Sequence, residues 1–489
     1  LSGGHPELYE NYLSYRWSML DHAKKDAANI FGAAGAFFSD ISNLNGYNAL
    51  EPDTVRNCSV GAQIALDFYR YFLYTGDKAF LTERAMPMML ACADFYQSLA
   101  RPGEDGTMRL PDGATAYESY WPLKTTLTDL YVLKALLGAI RETGSDAGVG
   151  PAKLETYSAL EQHLYSALTE LIEHEGHTLE IFSVGEKWDG EPVHYGEGEY
   201  PWSPFPASLI SPVWPAGCIT LADEGTQEFN IMCNTARVLL DRDVYRLGKI
   251  GCSGHAPAPE MAARLGMSED MPRILRHFVQ AYQIFPNGMM HFADVSQNQQ
   301  WSAIDRPRIL LENADATQWE ELHEKRLGDR TEIPSEWFLH CYFEAAANLT
   351  AGINEMLLQS CGGVLRVFPA LPKEQDAMFT LWGEGGFAVT SESCRGEIRY
   401  VAIRSTRGGV CRLVDPWPGE QLAVRQGHER VDILREKGHI TFDTTPGREY
   451  ILFRREYPPE CFYHATFSAV RNEGVKRLGK MQIGLAKYY

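Results

Sequence analysis

The chain has 489 residues, 45% of them hydrophobic and 22% charged, the balance of an ordinary globular protein with room for more than one domain. A formal charge of −19 argues against nucleic acid or an anionic membrane as partner, since both select for clustered Lys and Arg. No stretch of about 18 uncharged apolar residues occurs, so no transmembrane span is expected.

From residue 6 to about 360 the apolar spacing is helical. Helices are predicted at Tyr9–Phe31, Val55–Thr75, Lys78–Leu99, Leu123–Glu142, Ala152–Glu173, Thr226–Leu240, Pro259–Leu265, Glu269–Phe285 and Ser335–Ser360. Gly76-Asp77 separates the second from the third, and long loops are expected at Ile181–Cys218 and Asn287–Pro334. Pairs of helices joined by short turns suggest a toroid of helical hairpins. In such a toroid the site lies where helix starts and loops meet at one mouth.

After Gln359 the pattern changes to period two. Gly385–Ser391, Gly396–Thr406, Gly409–Asp415, His439–Phe442 and Tyr450–Arg454 read as strands separated by Gly and Pro turns. The expected fold is therefore mainly α: an (α/α)6-toroid-like catalytic domain over 1–360, then a small antiparallel β-sandwich over 361–455. A C-terminal tail over 456–489, with Lys476, Arg477 and Lys480, is expected to pack back on the body.

Ten cysteines are scattered without a Cys-x-x-Cys pair, which predicts free thiols in a reducing, cytoplasmic setting and no zinc site. The chain starts at Leu1 with no signal peptide before it, as a fragment or a mature form would. Aromatic residues reach 11%, with 10 Trp and 24 Tyr, which suits sugar binding as well as core packing.

Two carboxylates stand out for glycosidic chemistry, which needs one carboxyl group on each side of the scissile bond. Glu118 lies in a loop with Tyr117, Tyr120 and Trp121, whose rings would desolvate it and favour the protonated form of a general acid. The same position also suits a Glu that merely stabilises a helix start. Glu344 shares a helical stripe with Trp337, Cys341, Asn348 and Ala351, so it is expected to face the protein, as catalytic group or as a buried partner of a base. Asp40, Trp188, Trp202 and Trp214 complete the candidate substrate contacts; the loop from Trp188 to Trp202 is acidic and aromatic. No phosphate loop, serine elbow or His-Glu-x-x-His motif is present, and neither cofactor nor metal is implied.

Glu355-Met356-Leu357-Leu358-Gln359-Ser360, followed by Pro369-Ala370-Leu371-Pro372, resembles the end of the catalytic domain in glycoside hydrolase family 95. That resemblance implies inverting hydrolysis of an α-L-fucoside or α-L-galactoside from an oligo- or polysaccharide. It implies that Glu118 is the general acid, that Glu344 stands where the family has a base-assisting Asp, and that Asp40 lies near the mouth. Three departures accompany it. Glu344 lacks the family's following Gly-Asn. The chain begins after the position of a water-activating Asn-x-Asn pair. A His-Arg-His cluster is replaced by Pro204 to Ser208. The alternatives are a polysaccharide lyase on a helical toroid and a catalytically silent sugar-binding relative.

Overall fold

The computed structural model describes residues 1–49, 57–110, 123–187, 189–195, 206–241, 258–279, 290–291, 341–458, 477–478 and 481–482. The helix expected over Tyr9–Phe31 is two, α1 (Pro6–Ser18) and α2 (Leu20–Phe31). Next comes α3 (Ser59–Thr75), whose buried stripe includes Ile64, Ala65 and Phe68. It ends on Gly76 at φ 63°, where an added Cβ would lie 1.9 Å from the Arg407 guanidinium. The left-handed backbone favours glycine there, while the Arg407 side chain is free to shift away from an added Cβ.

Asp77 restarts the chain as a helix cap, its carboxylate accepting from the Phe80 N–H. Lys78–Phe80, a π-helical turn at Leu81–Ala85 and α4 (Met86–Leu99) then run on continuously. Thr126 caps α5 (Leu127–Thr143) by accepting from the Asp129 N–H. The remaining long helices are α6 (Pro151–Gln162), α7 (Gln227–Asp241), α8 (Ala258–Arg264), α9 (Met271–His277) and α10 (Phe343–Leu357).

Three contacts fix how α3, α4 and α5 run. Tyr96, near the end of α4, puts its hydroxyl 3.0 Å from the Cys58 carbonyl before α3 and 2.6 Å from Asp129 in the first turn of α5. At the far ends, the Tyr69 hydroxyl of α3 donates to Glu142 of α5 at 2.7 Å. So α3 and α5 are parallel, and α4 is antiparallel to both. Their apolar faces merge in one core that includes Phe37, Phe68, Phe95 and Tyr131.

The helix expected to reach Glu173 stops at Gln162. Thr169–His174 and His177–Phe182 instead pair as an antiparallel hairpin, β1 and β2, turning at Glu175-Gly176. The Phe182 N–H donates to Thr235 of α7 at 3.0 Å, tying the hairpin to the helices.

Between Leu358 and Arg454 the chain builds eleven strands: β3 (Leu358–Cys361), β4 (Val364–Val367), β5 (Ala377–Gly383), β6 (Phe387–Cys394), β7 (Glu397–Ser405), β8 (Gly409–Val414), β9 (Leu422–Gln426), β10 (Glu429–Arg430), β11 (Leu434–Glu436), β12 (His439–Thr444) and β13 (Glu449–Arg454). They form a six-stranded sheet ordered β10-β9-β13-β7-β6-β5 and a five-stranded sheet ordered β11-β12-β8-β4-β3. Inward residues of both sheets, among them Leu365, Leu413, Val389, Val401 and Leu452, share one apolar core. The expectation of purely antiparallel strands needs one correction: β4 and β8 pair in parallel, Leu365 opposite Leu413. A 41-residue detour through β5, β6 and β7 separates them, long enough for the crossover that a parallel pair demands.

Helices and sheets are tied together directly. Gln359 Nε2 donates to the Ala263 carbonyl at 2.6 Å, Gly385 N–H to Leu73 at 2.9 Å, and Trp382 N–H to Ser2 at 2.8 Å. Among the described residues no helix is long and apolar enough to cross a membrane.

Candidate functional site

The parallel helices have two ends, and the candidate residues divide between them. At the N-terminal end, Asp40 accepts from Asn57 Nδ2 at 2.8 Å, just before α3 begins. Beside it, Asp129 is fully buried and accepts hydrogen bonds from Tyr96 and Thr126. Burial pushes its carboxyl up to about 6, although both hydroxyls pull the other way. Glu118 precedes α5 in the sequence. Glu344 is the second residue of α10, so its backbone sits in that helix's first turn. The Glu344 side chain lies outside the described residues, as do Glu118, Tyr117, Trp121, Trp188, Trp202 and Trp337.

At the opposite end is a cavity of about 1040 Å³. It is lined by the later residues of α3, by the C-terminal half of α5, by α8 and α10, and by the β3–β4 turn. Tyr74, at the end of α3, has its phenol pushed up by burial and then by the carboxylates of Glu355 and Glu384, so α10 ends beside α3. Two of the expected substrate contacts, Trp214 and Asn348, line this cavity rather than the N-terminal end.

The cavity's wall is built of charges. Arg264 of α8 donates to Glu355 at 2.8 Å and to the Val213 carbonyl at 3.1 Å. Its guanidinium lies 4.8 Å from the Trp214 ring centre and that of Arg70 lies 4.7 Å from it, so this ring is engaged by two cations. Arg70 also donates to the Pro215 carbonyl and to Asp67. Glu260, one turn before Arg264, is 3% exposed, and its Oε2 has no hydrogen-bond partner. Burial pushes the Glu260 carboxyl up to about 8; Arg264 opposes the shift and Glu355 adds to it. Glu384, after β5, is pushed up to about 7 by burial, against the Gly363 N–H that it accepts at 3.1 Å. Burial works against the charge of Arg264, but Glu355, Cys361 and Glu260 together outweigh it and hold the guanidinium ionised.

Glu260, Arg264 and Glu384 were not among the expected site residues. Glu260 and Arg264 do lie four apart on a predicted helix, a spacing that places them on one face. That pattern is common on ordinary surface helices and identifies no site by itself. Among the described residues no group of His, Cys, Asp and Glu is placed to hold a metal ion.

Residues 1–118 match the family model described as the glycosyl hydrolase family 65 central catalytic domain. Over 121 residues the chain is 32% identical to a kojibiose hydrolase of Flavobacterium johnsoniae, covering 23% of this chain and 17% of that protein. Over 181 residues it is 25% identical to a maltose phosphorylase of Bacillus subtilis, covering 35% of this chain and 24% of that one. A kojibiose hydrolase of Mucilaginibacter mallensis is 35% identical over 101 residues, covering 19% of this chain and 14% of the relative. The chain thus spans less than a quarter of the length of the curated relatives it matches. These matches overturn the resemblance to family 95, and nothing in them supports a preference for α-L-fucosides or α-L-galactosides. The residues behind that resemblance, Glu355–Ser360 and Pro369–Pro372, mark a helix running into a sheet, and that junction is structural rather than diagnostic of one family.

Proposed function

We propose that the chain is part of an enzyme that cleaves an α-linked glucosyl bond, with the chemistry at the N-terminal ends of α3, α5 and α10. The observation that carries this reading is the match of residues 1–118 to a catalytic-domain model, a stretch that takes in Asp40 and ends on Glu118. Kojibiose and maltose, named in the matched relatives, are both disaccharides of α-linked glucose. The parallel pair α3 and α5 with antiparallel α4 supports an (α/α) toroid over 1–360, and the two sheets with their common core support a β-sandwich over 361–455.

In this reading Glu118 gives its proton to the glycosidic oxygen as the bond to the anomeric carbon breaks. A water molecule attacks that carbon from the other face and passes a proton to a carboxylate there, the role assigned to Glu344. The released sugar has inverted configuration. Carboxyl groups working this way stand roughly 6.5–9.5 Å apart, leaving room for the water. Tyr117 and Trp121 keep Glu118 in apolar surroundings, while Asp40, Trp188, Trp202 and Trp337 hold the sugar. The maltose phosphorylase match favours a second version, with inorganic phosphate in place of water and a glucosyl phosphate as product.

Incubation with kojibiose or maltose, with and without inorganic phosphate, followed by proton NMR, tests both versions. Glucose formed without phosphate supports hydrolysis, and a phosphate-dependent glucosyl phosphate supports phosphorolysis. No conversion of either sugar would sink the proposal.

A further inference from the structure

Residues 111–122, Glu118 among them, join Leu110 to Leu123 in the chain, and both of these flanking residues are buried. The two flanks meet on one carboxylate. Glu186, soon after β2, accepts at a single oxygen from the Arg109 guanidinium at 3.4 Å and from the Thr125 hydroxyl at 3.0 Å. Its backbone joins the second flank as well: the Lys124 N–H donates to the Glu186 carbonyl at 2.7 Å, and the Glu186 N–H to the Lys124 carbonyl at 2.9 Å. Tyr165 ties the same two flanks, with its ring centre 5.9 Å from the Arg109 guanidinium and its hydroxyl donating to the Thr126 carbonyl at 2.8 Å.

Thr125 carries backbone strain at this junction. Its φ is 48°, in the left-handed region that a β-branched residue rarely enters, and its side chain is buried. Backbone held there persists only where the surroundings over-determine it, and such residues cluster at functional sites. Here the surroundings are the Glu186 carboxylate on the Thr125 hydroxyl and the Glu186 backbone on Lys124. Thr126 follows directly as the cap of α5, so the strained residue lies at the helix start where cleavage is proposed. Stability alone is a weak reason for the Glu186–Arg109 pair. The Arg109 side chain is 34% exposed and also binds Asp105 at 2.9 Å, and a partly exposed pair adds little to folding.

We infer that Glu186 is a positioning residue for Glu118: it fixes both flanks of the segment that carries the acid, and so sets where the proton is delivered. The inference rests on the cleavage reading, in which Glu118 protonates the glycosidic oxygen. In this role Glu186 acts through Glu118 and exchanges no proton with the sugar. A shift of about 1 Å in a catalytic group can cost about 10²-fold in rate, so a clamp on the flanks is enough to control turnover.

Steady-state kinetics of the full chain test this, on maltose or kojibiose and with inorganic phosphate present, so that hydrolysis and phosphorolysis are both counted. Glu186→Ala frees both flanks and should lower kcat by up to about 10²-fold with KM little changed. Thr125→Val removes one hydroxyl and keeps the branched shape; it should lower kcat less, and should add nothing to Glu186→Ala. In a Glu118→Gln background Glu186→Ala should leave kcat unchanged, because the group it positions is gone. A merely structural residue would lower kcat equally in both backgrounds. Thermal melts verify that each variant is folded, and Thr125→Val decides alone if Glu186→Ala is not. Full kcat in either folded variant, or equal losses with and without the Glu118 carboxyl, overturns the inference while the cleavage reading stands. An unaltered chain that converts neither sugar overturns both.

Discussion

Asp129 and Glu260 are both carboxylates withdrawn from water, one at each end of the same helical body, and the protein treats them differently. Asp129 accepts from Tyr96 and Thr126, and these bonds join the starts of α3 and α5 to the end of α4. Glu260 leaves one oxygen unpartnered and sealed from solvent behind the cavity wall. A satisfied buried acid holds helices in place, whereas an unsatisfied one carries an uncompensated desolvation cost. The N-terminal end is thus braced by side-chain hydrogen bonds, and the C-terminal end surrounds a cavity.

The largest effect expected from breaking this contrast is on catalysis. Glu118→Gln should lower turnover of maltose by about 10²–10⁴-fold, the usual contribution of a general acid, without changing the melting temperature. Asp129→Ala comes next. It strips the Thr126 and Tyr96 hydroxyls of their acceptor and should cost about 2 kcal/mol in chemical denaturation. If the variant is as stable as the parent, Asp129 is no brace.

Gly352→Ala probes the C-terminal end through its backbone. A Cβ at Gly352 would lie 2.2 Å from the Pro259 Cβ and 2.7 Å from its carbonyl carbon, so α8 must move away from α10. Overpacking typically costs about 1–3 kcal/mol, while Ala gains up to about 1 kcal/mol in a helix, so a net loss near 1 kcal/mol is expected.

The smallest effect is on pH dependence. Glu260 rises from 4.5 to about 8 on folding and Glu384 from 4.5 to about 7. The folded chain therefore holds protons that the unfolded chain releases. Stability should be greatest below about pH 4.5, as far as these two groups decide it, and decline toward pH 8. Glu260→Gln should flatten the upper part of that decline in melts taken between pH 5 and 8. An unchanged slope would mean that Glu260 is solvated.

Much of the helical part was legible in the sequence because its apolar spacing is regular. Lys78–Leu99 runs unbroken as expected, and α3, α5 and α7 begin or end within a few residues of their predicted bounds. The hairpin β1–β2 was not legible. Its two faces are both partly exposed, with Leu171 at 71%, so the alternation that marks a strand is faint. The short strand β3 was missed for a related reason: Leu358 to Cys361 continues the helical apolar pattern of α10. The cavity was beyond reach altogether. Glu260, Glu355 and Glu384 are far apart in the chain, and only packing of α8 against α10 and the sheets brings them together. Glu118 is the opposite case, since its neighbours in sequence, Tyr117, Tyr120 and Trp121, are what single it out as the proposed acid.

The assignment of Glu118 as general acid is tested most directly by leaving-group dependence. A 4-nitrophenol leaving group departs without protonation, whereas the glucose leaving group of maltose does not. Turnover of 4-nitrophenyl α-glucoside and of maltose should be compared between the unaltered protein and Glu118→Gln. The account predicts that the variant loses maltose cleavage but keeps most of its rate on the nitrophenyl substrate. Equal loss on both substrates, or no loss on maltose, would contradict it.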